Sequence, residues 1–134
     1  MELTGRCYCG DIHYKAEGDA VMKAQCHCRE CQYITGGEPN IFIAMPIDGF
    51  TYTKGEPKDF TRSDLDNPVT RQFCPNCGTH LATRPPGFPA VIVKVGTLDD
   101  PAVIEKPDMA IFMVDAQPFH QVPEGVVKFD RMPG

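Results

Sequence analysis

Seven cysteines stand in three tight clusters: Cys7 with Cys9, Cys26 with Cys28 and Cys31, and Cys74 with Cys77. A tetrahedral zinc needs thiolate sulfurs about 2.3 Å from the ion, and cysteines one or two residues apart bring two sulfurs that close. The grouping therefore predicts metal ligation. The doublets Cys7, Cys9 and Cys74, Cys77 together supply four ligands and a closed, structural site. The triplet Cys26, Cys28, Cys31 supplies three and leaves a coordination position for water or substrate, which is the signature of a catalytic zinc. Two zinc ions per chain are expected. A disulfide framework fits less well, because it wants an even count and an oxidising compartment. Iron–sulfur spacings do not match two separated doublets plus a triplet.

The residues around each cluster have their own physics. Pro75 pre-sets one backbone angle after Cys74 and Gly78 permits a positive φ, so the chain can fold back into a zinc knuckle. Cys7 and Cys9, two apart, would point from the same face of an extended strand and complete that knuckle from across the fold. A metal joining such distant segments closes a long loop and acts as a staple. In the triplet, Cys26 and Cys28 suit an extended stretch, whereas Cys28 and Cys31 have the spacing of one helical turn. If Cys28 opens that helix, the positive end of the dipole favours its thiolate. His27, between two ligands on extended chain, points away from the metal and is expected in packing or in a supporting shell around the catalytic centre. His80 reads as the start of a strand, and His13 and His120 carry no positional signal. Lys23, Arg29 and Arg71 are the basic residues placed to hold an acidic small molecule, with a solvated surface charge as the competing reading.

Positioning these groups falls to short elements. With 13 Pro and 12 Gly in 134 residues the chain is broken too often for long helices, and the segments between are rich in β-branched and aromatic residues. The expected class is mainly β in a single domain over 1–134. Residues 12–16 alternate, with Ile12, Tyr14 and Ala16 on one face and His13 and Lys15 on the other. Further strands are expected at 22–26, 41–45, 50–54, 59–62, 70–73, 80–84, 91–95 and 109–114. Helical turns are expected at 28–34 and 99–103, both too short to stand alone.

Composition excludes several classes. A net charge of −5 with scattered basic residues is poor for a phosphate backbone, so no nucleic acid is expected as partner. The longest uninterrupted apolar run, 109–114, is far short of the roughly 20 residues of a bilayer span, so no membrane partner is expected either. The first seven residues hold no apolar segment, which points to a cytoplasmic protein whose thiols stay reduced.

Three runs together carry a specific resemblance: Gly5, Arg6, Cys7, Tyr8, Cys9, Gly10; then Cys26, His27, Cys28, Arg29, Glu30, Cys31; then Phe73, Cys74, Pro75, Asn76, Cys77, Gly78, Thr79. In order and spacing they resemble the signature segments of the glutathione-dependent formaldehyde-activating enzyme family, and Gly96 to Pro101 and Phe129 to Pro133 look similar too. The resemblance implies a Mss4-like, or β-tent, fold of small antiparallel sheets stapled by zinc. It implies a structural zinc on Cys7, Cys9, Cys74 and Cys77 and a catalytic zinc on Cys26, Cys28 and Cys31. It also implies a carbon–sulfur lyase run in the addition direction, joining a thiol such as glutathione to formaldehyde or a related small aldehyde, as in S-(hydroxymethyl)glutathione synthase. The alternative from another class is a non-catalytic zinc scaffold that binds a protein partner, whose mark would be an exposed apolar surface such as residues 41–45.

Overall fold

The computed structural model describes residues 1–133, arranged as two β-sheets and one short α-helix. The smaller sheet is antiparallel, in the order β1 (Glu2–Arg6), β2 (His13–Glu17), β5 (Phe50–Lys54). The larger contains β3 (Met22–Cys26), β4 (Asn40–Pro46), β6 (Lys58–Thr61), β7 (Thr70–Phe73), β8 (His80–Arg84), β9 (Ala90–Lys94), β10 (Met109–Ile111) and β11 (Val127–Lys128). Its order is β11-β10-β3-β4-β9-β8-β7-β6. From β3 to β6 every pairing is antiparallel, while β10 joins β3 and β11 in parallel. The mainly β class expected from the breaker pattern is what forms.

Alternation assigns the faces. Residues directly opposite in a ladder share a face, so β4 and β9 present Ile43, Met45, Val91 and Val93 to one side. There they meet Leu3, Ile12, Tyr14, Ala16 and Phe50 of the smaller sheet in one buried cluster. The other side of the large sheet carries Ala24, Cys26, Phe42, Ala44, Ala90 and Ile111 in a second cluster. Phe42, Ile43, Ala44 and Met45 are all buried, so β4 is covered on both faces and is the central strand. Residues 41–45 are therefore core rather than a docking surface, with Ile41 alone facing outward. Ile43→Ala, at a position with no exposure, should lower unfolding free energy by about 2–5 kcal/mol, the usual cost of an aliphatic cavity in a close-packed core. Denaturant titration reads this directly, and a loss below about half a kcal/mol would place Ile43 outside the core.

Close backbone approach fixes how the sheets join. A Cβ at Gly5 would collide with the Tyr14 hydroxyl and the Thr97 carbonyl oxygen. Only glycine lets β1 pass there and pair with Leu98. The Tyr14 hydroxyl then meets Thr97 Oγ1 at 2.7 Å, which ties β2 to the turn after β9.

The structure corrects three local expectations. Cys7 and Cys9 are not on a strand: β1 ends at Arg6 and the chain turns, with the Gly10 N–H donating to the Cys7 carbonyl at 3.2 Å and Gly10 at φ 83°. The strand expected at 109–114 stops at Ile111, because Phe112 adopts a left-handed φ of 55°. That turns the chain into a short 3-10 segment, Met113–Asp115, whose amides Met113 N–H and Val114 N–H donate to Phe129 and Asp130 of the C-terminal stretch. Around 99–103 the helical turn is 3-10 and begins later, at Pro101–Ile104. β1 and β11 are strands that the sequence pattern did not single out.

Candidate metal centres

The sulfurs of Cys7, Cys9, Cys74 and Cys77 lie within 4.8 Å of one another. Cys7 Sγ is 3.7 Å from Cys9 Sγ, which is 3.8 Å from Cys74 Sγ. Four sulfurs at zinc bond length sit at tetrahedral corners about 3.8 Å apart, whereas a disulfide would bring a pair to about 2.05 Å. The donor set therefore fits zinc. The local backbone is built for thiolates: the Ile12 N–H donates to Cys7 Sγ at 3.3 Å and the Cys77 N–H to Cys74 Sγ at 3.5 Å. The knuckle closes as Gly78, at φ 78°, donates to the Cys74 carbonyl at 2.8 Å. The Thr79 hydroxyl, 3.2 Å from Cys77 Sγ, holds that thiol down to about 5. Two hairpin turns distant in sequence thus meet at one donor set.

The second group is Cys26, Cys28 and Cys31, whose sulfurs also lie within 4.8 Å of one another. Cys26 ends β3, and Cys28 is the N-cap of α1 (Arg29–Thr35), its Sγ accepting the Cys31 N–H at 3.4 Å. Gly36, left-handed at φ 87°, ends the helix after two turns. Hydrogen bonds from the Cys26 and Cys31 thiols, then the Cys31 N–H and the nearby Arg71 charge, hold the Cys28 thiol down to about 2. The same cluster pushes Cys26 up. A cation held by the group would draw the protons from its thiols.

A cavity of about 290 Å³ opens over this triplet and is lined by Cys26, Cys28 and Cys31. Register explains its floor. Cys26 opposes Asn40, Phe42 opposes both Ala24 and Lys94, and Thr83 opposes Ile92, so these residues share one face of the large sheet. Arg71 opposes Thr83 and extends that face to β7. Its guanidinium pairs with Glu30 of α1 at 3.2 Å. Lys94, only 8% exposed, donates from Nζ to Thr83 Oγ1 at 2.9 Å. Burial brings its pKa down to about 8, opposed by the attraction of the Cys31 sulfur. The four-cysteine group adjoins a recess of about 360 Å³ that Cys7 lines together with Arg6, Tyr8 and Asp99, polar where the cavity over the triplet is mostly apolar.

A sequence profile described as "Glutathione-dependent formaldehyde-activating enzyme" matches residues 2–115. The chain belongs to this family. Among solved structures, a crystal structure of a Rhodobacter sphaeroides protein is similar with a TM-score of 0.62 and 17% identity, covering 78% of this chain and 97% of that one. At that identity the likeness concerns the fold. Comparison with curated proteins finds no match.

Within this formaldehyde-activating enzyme family member, the remaining candidate residues separate clearly. His27 is fully buried and its ring contacts no cysteine sulfur among the described hydrogen bonds; Nδ1 lies 2.9 Å from His120 Nδ1 and Nε2 lies 3.1 Å from Gln25 Nε2. The tautomers follow from the partners. His120 Nε2 faces the Gly37 carbonyl at 2.7 Å and must donate, so its Nδ1 accepts, from the Gln117 N–H at 3.1 Å and from His27. His27 is then protonated on Nδ1, with Nε2 accepting from Gln25. Burial lowers the His27 pKa, consistent with this neutral form. Gln32 of α1 adds a bond to the His27 carbonyl at 2.8 Å and one to the Asp115 carbonyl at 3.0 Å. The loop bearing Gln117 and His120 is thereby fastened behind the triplet. Lys23 pairs with Asp108, and Arg29 stacks on Tyr33, so of the three basic residues singled out only Arg71 reaches the cavity. Burial lowers the His80 pKa; its ring stacks on Phe73 at 5.5 Å. Lys94, Thr83, Gln32 and His120 escaped the sequence reading. For Lys94 a signal existed: in the run Val91, Ile92, Val93, Lys94 the alternation puts the lysine on the face of Ile92, away from the inter-sheet core.

Proposed function

We propose that the protein joins a thiol to a small aldehyde at the Cys26, Cys28, Cys31 centre, a carbon–sulfur lyase reaction run in the addition direction. In this reading Cys7, Cys9, Cys74 and Cys77 hold a structural zinc, and the triplet holds a second, catalytic one. The observation that carries it is the contrast between the two groups: three sulfurs, one short of a tetrahedral set, line a mostly apolar cavity of about 290 Å³, whereas four sulfurs form a complete donor set beside a polar recess. Zinc bound by three thiolates supplies an open position at which an incoming thiol loses its proton and is kept as thiolate.

The chain's own residues do the rest. Cys28, capping α1, and Cys26, at the end of β3, would hold the metal with Cys31 at the wall of the cavity. The His27, His120 and Gln32 bonds fix the backbone between those two ligands. Apolar walls exclude water, so the thiol and carbonyl meet each other in preference to solvent. The reaction forms one carbon–sulfur bond and breaks the carbon–oxygen π bond, whose electron pair takes a proton as a hydroxyl. No redox partner is needed. With cobalt in place of zinc, at least one thiol of a small panel that includes glutathione should change the ligand-field absorption and then speed the disappearance of formaldehyde. An unchanged spectrum would sink thiol ligation, and a changed spectrum without added rate would leave a thiol-binding protein.

A further inference from the structure

The cavity says more about the thiol than the sulfur cluster does. Most of its wall is apolar, with Met22, Phe42, Phe88, Ile92, Ile111 and Phe112, while Glu30, Asn40, Asn67 and Thr83 add a smaller polar lining. Glutathione carries two carboxylates, an ammonium and two peptide groups, and each would have to shed water on entering such walls. Among the described residues the cavity presents two cations, Arg71 and Lys94. Arg71 is already paired with Glu30 at 3.2 Å. Lys94 has Thr83 Oγ1 as its side-chain partner, at 2.9 Å. An ammonium has three donors, so two remain for a ligand. Lys94 stands on β9, two strands from β3, which by ordinary strand spacing puts its backbone about 10 Å from that of β3. A buried, under-used ammonium beside hydrocarbon walls complements one anionic group on an otherwise apolar molecule.

We propose that the thiol used at this centre is a small apolar thiol bearing a single carboxylate, seated on Phe42 and Ile92 with its carboxylate on Lys94 Nζ, rather than glutathione. This rests on the thiol-addition reading above. Lys94 could instead only balance the negative charge of the cysteine sulfurs, and the two roles separate experimentally.

The test titrates the cobalt-loaded full chain with three thiols and follows the ligand-field spectrum: α-(sulfanylmethyl)hydrocinnamate, its decarboxylated counterpart phenylpropanethiol, and glutathione. The hydrocinnamate thiol should bind at least about tenfold more tightly than either of the others, the effect of one charge-assisted hydrogen bond. In Lys94→Met its advantage over phenylpropanethiol should vanish while phenylpropanethiol binds as before, and Lys94→Arg should restore part of the preference. Equal weakening of both phenyl thiols in Lys94→Met would show a charge-balancing lysine and overturn the carboxylate site. Glutathione binding most tightly would overturn the apolar class yet leave thiol addition standing. No spectral change with any thiol would overturn the inference together with the reading beneath it.

Discussion

Cys74→Ser is expected to leave a chain with no cooperative thermal transition. Cys74 is fully buried, its Sγ is 3.8 Å from that of Cys9, and the Cys77 N–H points at it. The two sulfurs lie 65 positions apart in sequence, so a metal held between them would close most of the N-terminal half of the chain onto the β7–β8 hairpin. Structural zinc contributes an apparent 10–16 kcal/mol or so in small zinc domains at neutral pH, against a whole-domain stability of about 5–15 kcal/mol. Losing one thiolate from a closed four-sulfur set removes much of that contribution, and a buried hydroxyl at position 74 cannot replace it. Calorimetry in the presence of excess zinc is the measurement. Cys77→Ser should behave the same way, whereas Cys28→Ser should keep a cooperative transition and lower the zinc content from two per chain toward one. If Cys74→Ser and Cys28→Ser melt alike, the division into structural and catalytic centres is wrong.

Cys28→Ser should also bring the rate of thiol addition to formaldehyde down to the uncatalysed background, a loss of at least about a hundredfold if proximity in the site supplies even a modest part of the known range of effective molarity. Cys28 is the least buried of the three residues, Cys26 and Cys31 being buried, and all three line the cavity. It also caps α1, and serine is itself a preferred N-cap, so Cys28→Ser removes a sulfur while keeping an acceptor for the Cys31 N–H. Cys31→Ser should lose the rate as well, since it too leaves two sulfurs of the three. Aldehyde consumption in matched thiol, with and without protein, reads the effect. A Cys28→Ser protein that holds one metal and retains the full rate would remove the triplet from the chemistry.

Much of this was legible from local rules. Strand expectations at 22–26, 50–54, 70–73 and 80–84 coincide with β3, β5, β7 and β8, because each is a short β-rich run bounded by proline, glycine or a cysteine turn. The cysteine grouping was legible for a chemical reason: the metal's bond length forces near neighbours in sequence to act as ligand pairs. Where local rules failed, a longer-range contact decided. Residues 109–114 are apolar enough for one strand, yet Phe112 turns left-handed so that the C-terminal stretch can accept the amides of Phe112, Met113 and Val114. Cys7 and Cys9 turn rather than extend because the Cys7 sulfur and carbonyl both take backbone donors from its own turn.

A mainly β chain with two cysteine groups, of four and three, spaced to hold metal was readable from the sequence, since spacing and period are properties of neighbours along the chain. Only the tertiary structure decided what stands over the three-cysteine group. Lys94, Thr83, Phe42 and Ile92 come from strands β4, β8 and β9, and His120 from a distant loop. The four strand residues converge through ladder register, where a slip of one residue would send each of them to the opposite face.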